Sequence, residues 1–184
     1  MSSAPTKKVP ASFETSQGRH VKLAKHAGFC HGVKKAVDKT VATHETFDKP
    51  TYVLGQLIHN RQEIERLTKL GIHTVESLDD VPDGAVCVIR THGAPPEMVQ
   101  AAEARGIQVS DATCPDVQLV QRKAVELAEE GYTVVIVGKE KHPEVIGIMA
   151  YALEVEGARV VAISSPRDIK EALADVPRRR IGVV

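Results

Sequence analysis

The apolar positions of this chain fall in short runs, most ending at a glycine or polar turn and most followed by a stretch with helical spacing. Val21-Lys22-Leu23-Ala24 reads as a short strand and Gly28-Phe29-Cys30-His31-Gly32 as a turn. Val33, Ala36, Val37, Thr40 and Val41 then share one helical face. Tyr52-Val53-Leu54 is a strand running to Gly55, and Ile64, Leu67 and Leu70 mark a helix that Gly71 ends. Residues 72–75, 85–90 and 107–109 are further strands, and Pro95-Pro96 opens a helix that Gly106 stops. Pro115 opens the next helix, whose buried face is Val117, Val120, Ala124, Val125 and Ala128. The most apolar strand, 132–137, leads through Gly138 to a helix opened by His142-Pro143-Glu144. A strand over 160–163, a helix over 166–174 and a strand over 181–184 follow. This alternation predicts an α/β protein with mainly parallel sheets covered by helices.

The pattern repeats. Cys30 and Cys114 each follow a strand, open a helix and lie 84 positions apart. Gly55 and Gly138 each close a strand and precede a histidine by four residues, His59 and His142, which are 83 positions apart. Asp80-Val81-Pro82 leading to Val88-Ile89 pairs with Asp175-Val176-Pro177 leading to Val183-Val184, with the offset drifting to 95. Three landmarks in one order predict two pseudo-symmetric domains, 20–110 and 111–184, after a disordered tail at 1–19. The first copy continues into Arg90-Thr91-His92-Gly93, whereas the second reaches Val184 where that turn should begin. The expectation is a fragment or truncated chain.

Composition narrows the picture. A chain of 184 residues without Trp must build its core from Val, Ile, Leu and Ala, as helix-covered parallel sheets do. Lys+Arg and Asp+Glu both number 24, so no basic footprint for nucleic acid or an anionic membrane emerges. No apolar stretch reaches the length of a membrane span. The first twenty residues are rich in Ser, Thr, Pro and Lys without an apolar segment, so no secretory signal is read there and a cytoplasmic location is expected. Three widely spaced cysteines in such a chain argue for thiols kept for chemistry or metal binding over a disulfide framework.

In parallel α/β domains ligands gather at the carboxyl ends of strands beside helix N-termini. Cys30, His59, His92, Cys114, His142 and Glu144 all fall at such positions. Cys87, between Val86 and Val88, reads as a core residue; His20, His26, His44 and His73 read as surface residues, and His31 is ambiguous. Cysteines with histidines are an ordinary zinc donor set, although the close C-x₂-C spacing is missing. One thiolate per domain instead suggests a cluster at a multi-domain interface. A third thiolate would then leave one iron of a four-iron cluster open to substrate.

Gly28-Phe29-Cys30-x-Gly32-Val33, Ile58-His59-Asn60-Arg61, Thr91-His92-Gly93, Asp111-Ala112-Thr113-Cys114-Pro115 and His142-Pro143-Glu144-Val145-x-Gly147 together resemble the 4-hydroxy-3-methylbut-2-enyl diphosphate reductase family (LytB/IspH). The resemblance runs from about Lys22 to Val184. It implies three α/β domains around a 4Fe–4S cluster, with Cys30 and Cys114 as two of its three ligands. It implies that His59, His92 and His142 bind the substrate diphosphate and that Glu144 delivers a proton to the substrate hydroxyl. It further implies conversion of that substrate to isopentenyl and dimethylallyl diphosphate in the methylerythritol phosphate pathway, with a ferredoxin or flavodoxin as electron donor. Against that pattern the third domain is absent from these 184 residues, and with it the third cluster cysteine and further diphosphate ligands, which predicts weak cluster binding and little activity for this chain alone. A zinc- or phosphate-binding α/β module without redox activity is the competing expectation.

Overall fold

The computed structural model describes residues 10–174 and 180–184 and divides the chain into two compact units, meeting in sequence at Cys30 and His31. In the first unit β1 (Ser12–Glu14) pairs antiparallel with β2 (His20–Lys22). Ser12–Glu14 falls in the stretch read as tail. Its hairpin is closed by Gly18 at φ +71° and by Thr15, whose hydroxyl accepts the Arg19 N–H at 3.1 Å.

The second unit holds two parallel sheets. The first has the order β4 (Ile72–Val75), β3 (Thr51–Leu54), β5 (Val86–Ile89), β6 (Gln108–Asp111). Side chains alternate across it as the pleat demands. Val53 and Val88 face a core with Ala36, Val37 and Leu67, supplied by α1 (His31–Phe47) and α2 (Arg61–Lys69). Leu54, Cys87 and Ile89 face the opposite core, with Ala102 of α3 (Pro96–Ala104). Cys87 is fully buried there, as its apolar neighbours predicted.

Strand β6 lies later than the apolar run at 107–109 suggested. Ile107 is buried beneath it, while Ser110 and Asp111 extend the ladder against Val88 and Ile89. Main-chain pairing, not hydropathy, sets its end. His44 also departs from the surface reading: it is half-buried, and its Nδ1 lies 3.0 Å from the Thr51 hydroxyl.

The second sheet has the order β8 (Arg159–Ile163), β7 (Thr133–Val137), β9 (Ile181–Val183), again all parallel. Val134 and Ile136 face α4 (Pro115–Glu129) and α5 (Pro143–Leu153), which pack through Ala124, Ala128, Val145, Ile148 and Ala152. The helix expected over 166–174 is a single turn, α6 (Ile169–Ala172). Residues 175–179 of the third sequence landmark lie outside the described residues. The protein is thus α/β, with parallel sheets flanked by helices.

Candidate functional site

The carboxyl ends of β3 and β5 deliver two histidines to one edge. After β3 the chain turns at Gly55, φ +72°, and reaches His59 just before Asn60. Asn60 caps α2, its side-chain oxygen accepting the Glu63 N–H at 3.0 Å. After β5, Thr91 is buried and its hydroxyl donates to the Leu57 carbonyl at 2.8 Å, tying the two strand ends together. His92 follows, and Gly93 turns the chain at φ +79°. The His59 and His92 ring centroids lie 5.2 Å apart.

The third histidine comes from the other sheet. His142 is the N-cap of α5, and its Nδ1 accepts the Glu144 N–H at 3.3 Å. That bond leaves Nε2 as the ring nitrogen able to donate. Its ring stands edge-on to His92 with centroids 5.5 Å apart, so His92 is the middle member of a three-histidine cluster. His59 and His142 are exposed, His92 half-buried, and Glu144 half-buried in the first turn beside His142.

Electrostatics distinguish the middle ring. Burial, followed by the nearby His59, Arg90 and His142, holds the His92 imidazole below its ordinary value. Three ring N–H donors plus a guanidinium in one place suit an anion, which would reverse that shift. Arg90 was not singled out from the sequence, although a cation ending an apolar strand was the available signal. It is half-buried over Gly55, where any Cβ would collide with the guanidinium, and desolvation lowers its proton affinity. Gly55, Arg90, Gly93 and Pro143 also line a groove of about 530 Å³ beside the cluster.

Cys114 joins this edge through the backbone. It is the N-cap of α4, with Pro115 in the first helical turn, and its N–H donates to the Thr91 carbonyl at 2.9 Å. Asp111 fixes the turn before it. One carboxylate oxygen accepts from the Thr113 N–H at 2.8 Å and from the Thr113 hydroxyl, and the other accepts from Gln118 Nε2 at 3.0 Å. Lys39 of α1 donates to the Asp111 carbonyl at 2.6 Å. The Cys114 sulfur faces Gly32 in the first turn of α1, where a side chain would overlap it.

Cys30 is an exposed free thiol ending the first unit, and His31 is the exposed first residue of α1. Among the described residues no three His, Cys, Asp or Glu side chains converge as a ligand set for a single metal ion. Gln121 also escaped the sequence reading. It is buried on α4 close to Gly93 and Gly147, and its Nε2 has no hydrogen-bond partner among the described residues.

Comparison with known proteins places the chain. The family model described as LytB protein matches residues 21–184. A 4-hydroxy-3-methylbut-2-enyl diphosphate reductase of Aquifex aeolicus (strain VF5) is 41% identical over 162 residues, covering 88% of this chain and 54% of the relative. The reductase of the same name from Geobacter sp. (strain M21) is 41% identical over 163 residues, with the same coverage of 88% and 54%. The solved structure of an (E)-4-hydroxy-3-methyl-but-2-enyl diphosphate reductase superimposes with a TM-score of 0.78 at 39% identity, over 87% of this chain and 55% of that one. The Plasmodium falciparum reductase structure also gives 0.78, at 28% identity, over 87% and 49%. The chain spans about half the length of the curated relatives it matches. With a family match over nearly all of its sequence and relatives at this level of identity, the chain belongs to the LytB protein family.

Proposed function

We propose that this chain forms part of a 4-hydroxy-3-methylbut-2-enyl diphosphate reductase and carries its diphosphate-binding histidines, its proton-delivering glutamate and two of its cluster thiolates. The reductase names of its relatives support the reaction. The observation that carries the site assignment is the meeting of His59, His92 and His142, with Arg90 beside them.

In this reading the three imidazoles and Arg90 grip the diphosphate, and its charge raises the proton affinity of the rings that hold it. Glu144 shares the first turn of α5 with His142, so holding the diphosphate also fixes the carboxyl beside the bound substrate. Glu144 then gives its proton to the leaving hydroxyl as a general acid.

Cys30 and Cys114 would hold a 4Fe–4S cluster, which when bound supplies electrons and a Lewis acid for the hydroxyl. Neither thiol is in a disulfide, and unlike Cys87 neither is fully buried. The side-chain-free position at Gly32 keeps the approach to the Cys114 sulfur clear. Two thiolates are fewer than such a cluster requires, so at least one further ligand must come from elsewhere in the functional protein. A ferredoxin or flavodoxin is the electron donor of this reading.

Two measurements test it. Inorganic pyrophosphate should bind the chain in calorimetry and lose affinity about tenfold or more in His92→Ala. Iron and sulfide analysis after anaerobic reconstitution should find less than one full cluster per chain. Absence of pyrophosphate binding would remove the diphosphate assignment, and a stable stoichiometric cluster would remove the need for a further ligand.

A further inference from the structure

Gln121 sits on α4 two turns beyond Cys114, with 7% of its surface exposed. Its Nε2 is buried without a hydrogen-bond partner among the described residues, a costly condition for an amide donor. Glycines surround it. A Cβ on Gly93 would lie 2.8 Å from this nitrogen, and one on Gly147 would lie 3.5 Å from it and 3.8 Å from the His92 carbonyl oxygen. The Thr113 hydroxyl is 3.5 Å from the same Gly93 position. Glycine at both positions gives the amide room between α5 and the His92–Gly93 turn. The His92 carbonyl oxygen, which like the amide lies against the Gly147 position, is an acceptor on that side.

We infer that Gln121 is a positioning residue that donates its buried amide to the His92 carbonyl through one bridging water, and so holds the middle histidine of the cluster in register with the helix that begins at Cys114. The amide acts through the turn. Three histidines from two sheets need their relative placement fixed, and Gln121 of α4 approaches both the His92–Gly93 turn and, at Gly147, α5. Met has much the same length and volume as Gln without its donor, so packing and hydrogen bonding separate cleanly. The inference rests on the reading of the histidines as an anion site, and its test keeps the two apart.

The test uses the 184-residue chain, its Gln121→Met and Gln121→His variants, and inorganic pyrophosphate as probe. In the ligand-free chain, Gln121→Met should shift the His92 ring resonances in ¹H–¹⁵N spectra more than those of His59 and His142. It should also weaken pyrophosphate binding roughly fivefold. Gln121→His, which keeps an N–H donor, should recover affinity to within about twofold of the unaltered chain. The Gln121 side-chain amide protons should exchange with solvent more slowly than those of exposed Gln56. A Gln121→Met chain with unchanged affinity and unmoved His92 resonances would overturn the inference, as would a Gln121 amide exchanging as fast as that of Gln56. Should a variant fail to fold, the amide exchange measured on the unaltered chain still decides. If the unaltered chain binds no pyrophosphate, the anion reading falls, while the ligand-free His92 resonances still report on Gln121.

Discussion

Gly32, in the first turn of α1, faces the Cys114 sulfur so closely that a methyl group in its place would overlap the thiol. The neighbouring atoms are the sulfur and Cβ of a residue whose backbone is held by the Thr91 carbonyl, so relief requires the thiol to leave its rotamer or α1 to shift. Gly32→Ala should therefore cost about 1–3 kcal/mol in urea unfolding, the range for overpacking a well-filled site. It should also change the rate at which Cys114 is alkylated. An unchanged midpoint and unchanged Cys114 reactivity would show that α1 yields instead.

The three thiols should separate by reactivity. Burial pushes the Cys87 thiol up to about 11 and removes it from solvent. Timed alkylation of the native chain, read by mass spectrometry, should label exposed Cys30 first, half-buried Cys114 later and Cys87 only on unfolding. Labelling of Cys87 at the rate of Cys30 would contradict its place in the first sheet.

His92 sets a pH dependence whose sign can be worked out. Burial first, then His59, Arg90 and His142, lowers its folded value below the ordinary 6.5. As pH falls the unfolded chain takes up the proton first, so this contribution is fully present above about 6.5. It is lost progressively as pH drops from there through the folded value. Urea midpoints measured from pH 7.5 to 5 should fall less steeply in His92→Gln than in the unaltered chain. Pyrophosphate binding should show the opposite trend and tighten over the same descent, because an anion favours the protonated ring. Parallel slopes in the two chains would mean that His92 is not the group responsible.

Glu144 and His31 offer a contrast between two helix starts. Glu144 is half-buried beside His142, whereas His31 opens α1 on an exposed surface. In a full-length reductase carrying this segment, Glu144→Gln should lower turnover by about 100-fold or more, the scale of a lost general acid. His31→Ala should stay within a few-fold of the unaltered enzyme. Equal losses would give His31 a part in the reaction that its position does not suggest.

Much of the fold was legible because its signals are local. The apolar run 85–89 and the run 133–136 are short, rich in Val and Ile and bounded by turns, the mark of strands buried on both faces, and each ends at a turn that leads to a helix. The same logic placed His59, His92 and His142 at strand ends before any distance was known. What escaped depends on residues far apart in sequence. Gln121 reads as an ordinary polar position on an amphipathic helix until Gly93 and Gly147 are seen against it. Likewise His44 reads as surface until Thr51 comes to its ring. Arg90 needed Gly55, 35 positions earlier, to become a half-buried cation, and β6 took its end from its partner strand. Strand β1, Ser12–Glu14, lay in a polar stretch whose composition gave no strand signal, whereas its partner β2 overlaps the strand read at 21–24.

Thr91 has a consequence for how the chain responds to ligands. Its hydroxyl is committed to Leu57, two residues before His59, its carbonyl to the Cys114 N–H, and its own C-terminal neighbour is His92. One residue therefore serves as mechanical ground for two histidines and a thiol. Were an anion bound at these histidines to move the turn, the Cys114 backbone would move with it, and a group gripping Cys114 would act back on the anion. The two affinities are thermodynamically reciprocal: whatever factor pyrophosphate imposes on the binding of a thiol-seeking metal, that metal imposes on pyrophosphate.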